Sequence, residues 1–251
     1  MKRSIIHFII LGIYISLLAL GACSKSNTPP PIPVQGPKNP SFETDGYVSY
    51  YNQNSSSYVY VDVGAYWEPA ADYIFGTYSR STGNGFMPTQ GHYYALLTNF
   101  ESNGSASHVD QLINFYQDSV DLSHSTTMTF DYTLQCGSPD IDGVNGTVVN
   151  TSITAAVVFQ SYNSTYYSSG TDTTLWQQTI TATSTWSSSG GTWNTVTSPA
   201  APIQKLNQVI TLPSLPVMGT LSFQLTAATP GNTTGYLYPK GTFCVDNIRV
   251  H

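Results

Sequence analysis

Beyond residue 40, apolar and polar residues alternate with a period of two along much of the chain. In TTMTFDYTL, Met128, Phe130, Tyr132 and Leu134 fall on one side of an extended backbone, with Thr127, Thr129, Asp131 and Thr133 on the other. TSITAAVVF repeats the pattern through Ile153, Ala155, Val157 and Phe159, and GTLSFQLTA through Leu221, Phe223, Leu225 and Ala227. Such alternation, in segments rich in Thr, Val and Tyr, predicts antiparallel strands with one packed and one wet face. YVYVDVGAYW, YYALLTNF, LINFYQDSVDL and QVITLP add four candidate strands, and GTFCVDNIRV closes the chain as another. Clusters of Gly, Pro, Asn and Ser at 76–91, 102–107, 137–146, 187–202 and 229–235 separate them. No window of a dozen residues keeps a 3.6-residue apolar period, and no internal repeat occurs. The pattern predicts an all-β protein, an antiparallel jelly-roll β-sandwich of eight or more strands.

The first forty residues are organised differently. Met1, Lys2 and Arg3 precede an apolar run from Ile5 to Leu20, broken only by His7, Gly12, Tyr14 and Ser16, and the run ends in LGAC at Cys23. A basic start, an apolar centre and small residues at the end predict a secretory leader over residues 1–22. LGAC resembles the lipobox of bacterial lipoproteins, in which the cysteine becomes the lipidated first residue. That resemblance implies lipid attachment at Cys23 and a place in the bacterial cell envelope, at the outer membrane, facing periplasm or exterior. Residues 23–38, rich in Pro and small polar side chains, read as a semi-extended tether. The folded domain is then expected over 39–251.

Charged residues make up 9% of the chain. Without Lys2 and Arg3, six basic side chains stand against fourteen acidic ones, so nucleic acid is not an expected partner. Ser, Thr, Asn and Tyr dominate, a composition that hydrogen-bonds neutral polar ligands. Two cysteines besides Cys23 remain, Cys136 and Cys244. An even pair in an exported chain is a candidate disulfide; two buried thiols that never meet is the other reading.

NPSFETDG, GFMPTQGHYYALL, LINFYQDSVDL, MTFDYTL and GTFCVDNIRV follow one another in an order that resembles galactose-binding-like β-sandwich domains of bacteria, a group that includes many carbohydrate-binding modules. The resemblance implies a jelly roll and non-catalytic glycan binding. It also implies a structural calcium ion where the first and last strands meet, held by an acid after the opening Phe and an acid of the closing strand. Here those are Glu43 and Asp246, in keeping with the hard oxygen ligands that Ca²⁺ takes. In the other reading Asp246 accepts hydrogen bonds from a neighbouring loop and Glu43 is solvated.

Candidate chemistry is sparse. The only glutamates are Glu43, Glu68 and Glu101, and none has a spacing that predicts the facing carboxylates of a glycosidase. His92, His108 and His124 show no metal-ligand spacing. No G-x-S-x-G elbow or phosphate loop is present. Aromatic residues are the remaining resource. TSTWSSSGGTWNTV places Trp186 and Trp193 on either side of SSSGG, with Trp176 and the tyrosines of SYNSTYY upstream. Flat rings on an outer loop stack on sugar faces, so Trp176, Trp186 and Trp193 are the candidate ligand-binding residues; Trp193 could instead plug the sandwich edge. The sequence thus predicts a lipid-anchored, non-catalytic binder of neutral glycans, with an adhesive or structural envelope protein as the alternative and a glycoside hydrolase behind both.

Overall fold

The computed structural model describes residues 36–52, 57–69, 76–82, 86–99, 111–136, 140–142, 148–162, 169–189, 192–198, 201–216, 218–228, 236–238 and 241–251. The expected leader, Cys23, and the tether up to residue 35 lie outside them.

The described residues form an all-β sandwich of two antiparallel sheets. One sheet has six strands in the order β11 (Thr192–Ser198), β10 (Ser169–Ser189), β9 (Val148–Tyr162), β13 (Gly219–Ala228), β6 (Gln111–Val120) and β3 (Glu68–Pro69). The other has five, in the order β12 (Ile203–Thr211), β7 (Thr127–Cys136), β15 (Gly241–Val250), β5 (Tyr94–Asn99) and β4 (Gly76–Ser81). Two small ribbons, β1 (Tyr47–Asn52) with β2 (Ser57–Asp62) and β8 (Asp140–Asp142) with β14 (Tyr236–Tyr238), complete the described strands. The chain crosses between the two sheets repeatedly, at β3 to β4, β5 to β6, β6 to β7, β7 to β9, β11 to β12, β12 to β13 and β13 to β15, the wrapping expected of a jelly roll.

The alternating strands bury the side the pattern assigned to the core. Met128, Phe130 and Leu134 of β7, Ile153, Val157 and Phe159 of β9, and Leu221, Phe223 and Leu225 of β13 are fully buried in one cluster. Rings meet across the two sheets where Phe130 of β7 packs edge-on against Phe223 of β13 at 5.6 Å, and within the six-stranded sheet Phe115 stacks on Phe223, its partner in register, at 5.1 Å. Trp67 packs against Phe42, Phe115 and Phe223 and donates its indole N–H to the carbonyl of Asn39 at 3.1 Å. Burying each such ring contributes roughly 1.5–3 kcal/mol.

Three expectations change. The separators at 76–91 and 187–202 contain strands β4 and β11 and the end of β10, and Ser189 pairs with Thr192 in the antiparallel β10–β11 pair. Packing also begins before residue 39. The Gly36 N–H donates to the Asp121 carbonyl at 3.0 Å, and Lys38 exchanges backbone hydrogen bonds with the Gln117 side chain.

The third is the candidate disulfide. Cys136 and Cys244 are both buried and form no disulfide. They sit on neighbouring strands three positions out of register, Cys136 opposite Gly241 and Cys244 opposite Thr133. Cys136 belongs to the main core, while Cys244 packs with Phe86, Tyr94 and Leu96 in a separate cluster. With the two thiols facing opposite sides of the sheet, no bridge can form without moving the backbone. Burial pushes the Cys244 thiol up to about 12, which keeps it protonated.

Candidate functional site

Two places gather polar side chains. The first lies on the outer face of the five-stranded sheet, where Asp246 of β15 stands directly opposite Asp131 of β7. Both are buried, and like charges at opposed positions repel. The surrounding donors resolve the conflict. Asp246 Oδ2 accepts from the backbone N–H groups of Thr89 at 2.7 Å and Gln90 at 3.0 Å and from the Thr89 hydroxyl at 3.0 Å, and Oδ1 accepts from Asn247 N–H at 2.7 Å. Asp131 takes the backbone N–H of Asn207 at 2.6 Å and the Asn247 side-chain amide at 3.0 Å, and the Thr89 hydroxyl also contacts it. Asn207 and Asn247 both adopt positive φ, 52° and 55°, at bulges in β12 and β15. The bulges turn these donors toward Asp131. Burial holds the Asp246 carboxyl above its ordinary range, against the pull of its N–H donors.

Glu43 holds the other end of the same loop. Its Oε1 accepts from His92 N–H at 2.8 Å and Tyr93 N–H at 2.9 Å. Gly91, at φ 72°, passes so close that a Cβ there would collide with the Glu43 carboxylate, a position that suits only glycine. Segment 89–93 is therefore clamped by the opening segment at one end and the closing strand at the other.

These contacts decide how well the two acids suit a calcium ion. The partners described at both carboxylates are N–H and O–H donors, whereas Ca²⁺ needs about six to eight oxygens. One buried acceptor in the cluster, Asn247 Oδ1, has no hydrogen-bond partner, and among the described residues no group of three or more His, Cys, Asp or Glu side chains could hold a metal. As arranged, Glu43 and Asp246 fit a hydrogen-bonded clamp and do not fit a calcium site.

The candidate tryptophans separate. Trp176 is half-buried on the inner side of β10, opposite Val157, with its ring against Phe130 at 5.2 Å, Tyr132 at 5.0 Å and Phe243 at 6.2 Å. The expected ligand role gives way to core packing at this residue. A bulge between Thr174 and Trp176 sets the strand phase that turns it inward. Trp186 stands opposite Thr195, and Trp193 opposite Ser188, in the β10–β11 hairpin; their side chains lie outside the described residues. His92 and His124 are exposed, and His108 and Glu101 lie outside the described residues.

The second place is a groove of about 350 Å³ on the outer face of the six-stranded sheet. Strand register builds it in rows that cross β6, β13, β9 and β10. Asp118, Thr220, Gln160 and Asp172 form one row, Tyr116, Ser222 and Val158 the next, and Asn114 and Gln224 the third. Small, buried Ser222 and Val158 make the floor, and longer side chains on either side make the walls. The row members bind one another: Thr220 Oγ1 donates to Asp118 Oδ1 at 2.5 Å, Gln160 Nε2 to Asp172 Oδ1 at 2.8 Å, and Gln224 Nε2 to the Ser222 hydroxyl at 3.0 Å. These bonds hold the amides and carboxylates of the groove in place. Asn114 Oδ1 is buried without a hydrogen-bond partner.

Tyr116 stands at the edge of this groove. Its hydroxyl donates to Glu68 Oε2 at 3.1 Å across the β3–β6 pair. Burial, then the Glu68 contact, pushes the phenol up to about 12, so it stays a hydrogen-bond donor throughout the physiological range. Sequence reading missed this site because its residues lie on four strands and look, one strand at a time, like any solvated face. The available signal was Tyr116, an aromatic at an outward position of LINFYQDSVDL.

The described residues thus define a two-sheet antiparallel β-sandwich with a polar groove on one outer face. Compared with solved structures, the chain is similar to a carbohydrate-binding module, CBM28, specific for non-crystalline cellulose, at 15% identity and a TM-score of 0.38, over 88% of this chain and 99% of that one. No family model matches the chain, and no curated protein matches it.

Proposed function

We propose that this protein binds a polysaccharide without cleaving it, and that the groove crossing β6, β13, β9 and β10 is the binding site. The observation that carries the reading is the preorganised row of Asp118, Thr220, Gln160 and Asp172 beside a Tyr116 ring. Amides, carboxylates and hydroxyls spaced along an open sheet face suit a hydroxyl-rich chain. The backbones that carry the row's two end carboxylates are three strand spacings apart, about 14 Å, with Thr220 and Gln160 standing between them, whereas the carboxyl groups of a glycosidase pair face each other across roughly 5–9.5 Å. Glu68 and Asp118 lie closer, but both are exposed, whereas the proton donor of such a pair sits in an apolar pocket. Both facts favour binding over hydrolysis.

The leader and LGAC support a second part of the proposal, that Cys23 carries lipid and holds the protein at the bacterial outer membrane. Mass spectrometry of the membrane fraction checks this, and Cys23→Ala should release the protein.

Affinity electrophoresis through gels cast with single polysaccharides tests the binding reading. At least one gel should retard the wild type, and Tyr116→Ala or Gln160→Ala should lose about tenfold in affinity, roughly 1.4 kcal/mol. Full retardation of both variants would move the site elsewhere, and passage of the wild type through every gel would refute glycan binding.

A further inference from the structure

We propose that the groove selects its glycan by charge: Asp118 and Asp172 admit uncharged, hydroxyl-rich chains and turn away polyanionic ones. This rests on the polysaccharide reading above and names the residues that set its specificity.

The two carboxylates close opposite ends of one row, each fixed by a neighbour that engages a single oxygen, Thr220 on Asp118 and Gln160 on Asp172. Among the described residues no hydrogen bond reaches the second oxygen of either. A carboxylate can only accept, so the ligand must present donors at both points, and sugar hydroxyls do so. Among the described residues no lysine or arginine lines the groove, so no described cation there offsets a carboxylate or sulfate on the ligand. Glu68 adds another negative charge beside the Tyr116 edge. The row runs across the strands, so a chain that satisfies both carboxylates spans about 14 Å. It passes both charges, and an acidic substituent on successive sugars would meet each in turn.

The test pairs neutral polysaccharides with their own carboxymethylated derivatives: a β-glucan, a xylan, a mannan and a galactan, titrated by calorimetry into the full protein. The expected result is binding to at least one neutral member and about tenfold weaker binding to its carboxymethylated partner, the size that two repulsive contacts at a wet surface supply. In about 1 M salt, where the Debye length is roughly 3 Å, the difference should fall below about twofold. The Asp118→Asn, Asp172→Asn double variant should lose it at low salt too, because the amides keep the shape and remove the charge. Equal binding of neutral and anionic partners, or discrimination that survives both salt and the double variant, overturns charge selection while leaving glycan binding intact. Absence of binding to every polymer overturns both.

Discussion

Asp246→Ala removes one end of the clamp on segment 89–93, and the structure gives the cost. Asn247 N–H loses its partner inside the sheet, and leaving a buried donor orphaned costs about 1–3 kcal/mol. The N–H groups of Thr89 and Gln90 belong to exposed residues and recover water, so each lost bond there costs about 0.5–1 kcal/mol. Relief of the opposition to Asp131 returns up to about 1 kcal/mol. The net expectation is a loss of about 1–5 kcal/mol, centred near 3, and at that centre a fall of roughly 6–12 °C in Tm for a domain of this size. Urea unfolding followed by circular dichroism reads it directly. Crossing the variant with Asp131→Ala should show a coupling of about 0.5–3 kcal/mol, because the two acids share Thr89 and Asn247. A loss below about 1 kcal/mol, or strict additivity with Asp131→Ala, would refute the clamp.

The raised Asp246 carboxyl fixes the sign of a pH effect. Its contribution is fully present below the unfolded value near 3.8 and fades as pH rises through the folded value. The penalty of Asp246→Ala should therefore grow on moving from pH 7 toward pH 4; a constant penalty contradicts the assignment. Asp121, held low chiefly by the Ser123 hydroxyl, acts oppositely, and its contribution is lost as pH falls below about 3.8. Because donors face Glu43 and Asp246, excess chelator should leave the melting curve unchanged, and a drop of several degrees would restore the calcium reading. Alkylation of the unfolded, unreduced chain should label Cys136 and Cys244, whereas protection of both would reinstate the disulfide.

Legibility in the sequence followed chemistry that is local. The alternation in β7, β9 and β13 identified their buried faces because each inward position is apolar. β10 escaped because a strand of 21 residues carries few apolar side chains, with Trp176, Ile180 and Ala182 as its described inward anchors and Thr or Gln outward. Asp246 was legible as a carboxylate in a mostly apolar closing strand, where it needs a partner. Choosing between metal and hydrogen bonds required knowing that Thr89, 157 positions away, lies over it. The groove was further from view. Asp118, Gln160, Asp172 and Thr220 become neighbours only through strand register, and a polar outward residue at a binding site carries the same local pattern as one that meets only water.

The most direct test of the groove as a glycan site is to watch side-chain amide and indole signals by NMR while a retarding polysaccharide, or an oligosaccharide cut from it, is added. The account predicts shifts at the amides of Asn114, Gln160 and Gln224 and at the Tyr116 ring, with the Trp186 and Trp193 indoles unmoved. Shifts confined to the indoles, with the groove amides silent, would contradict it.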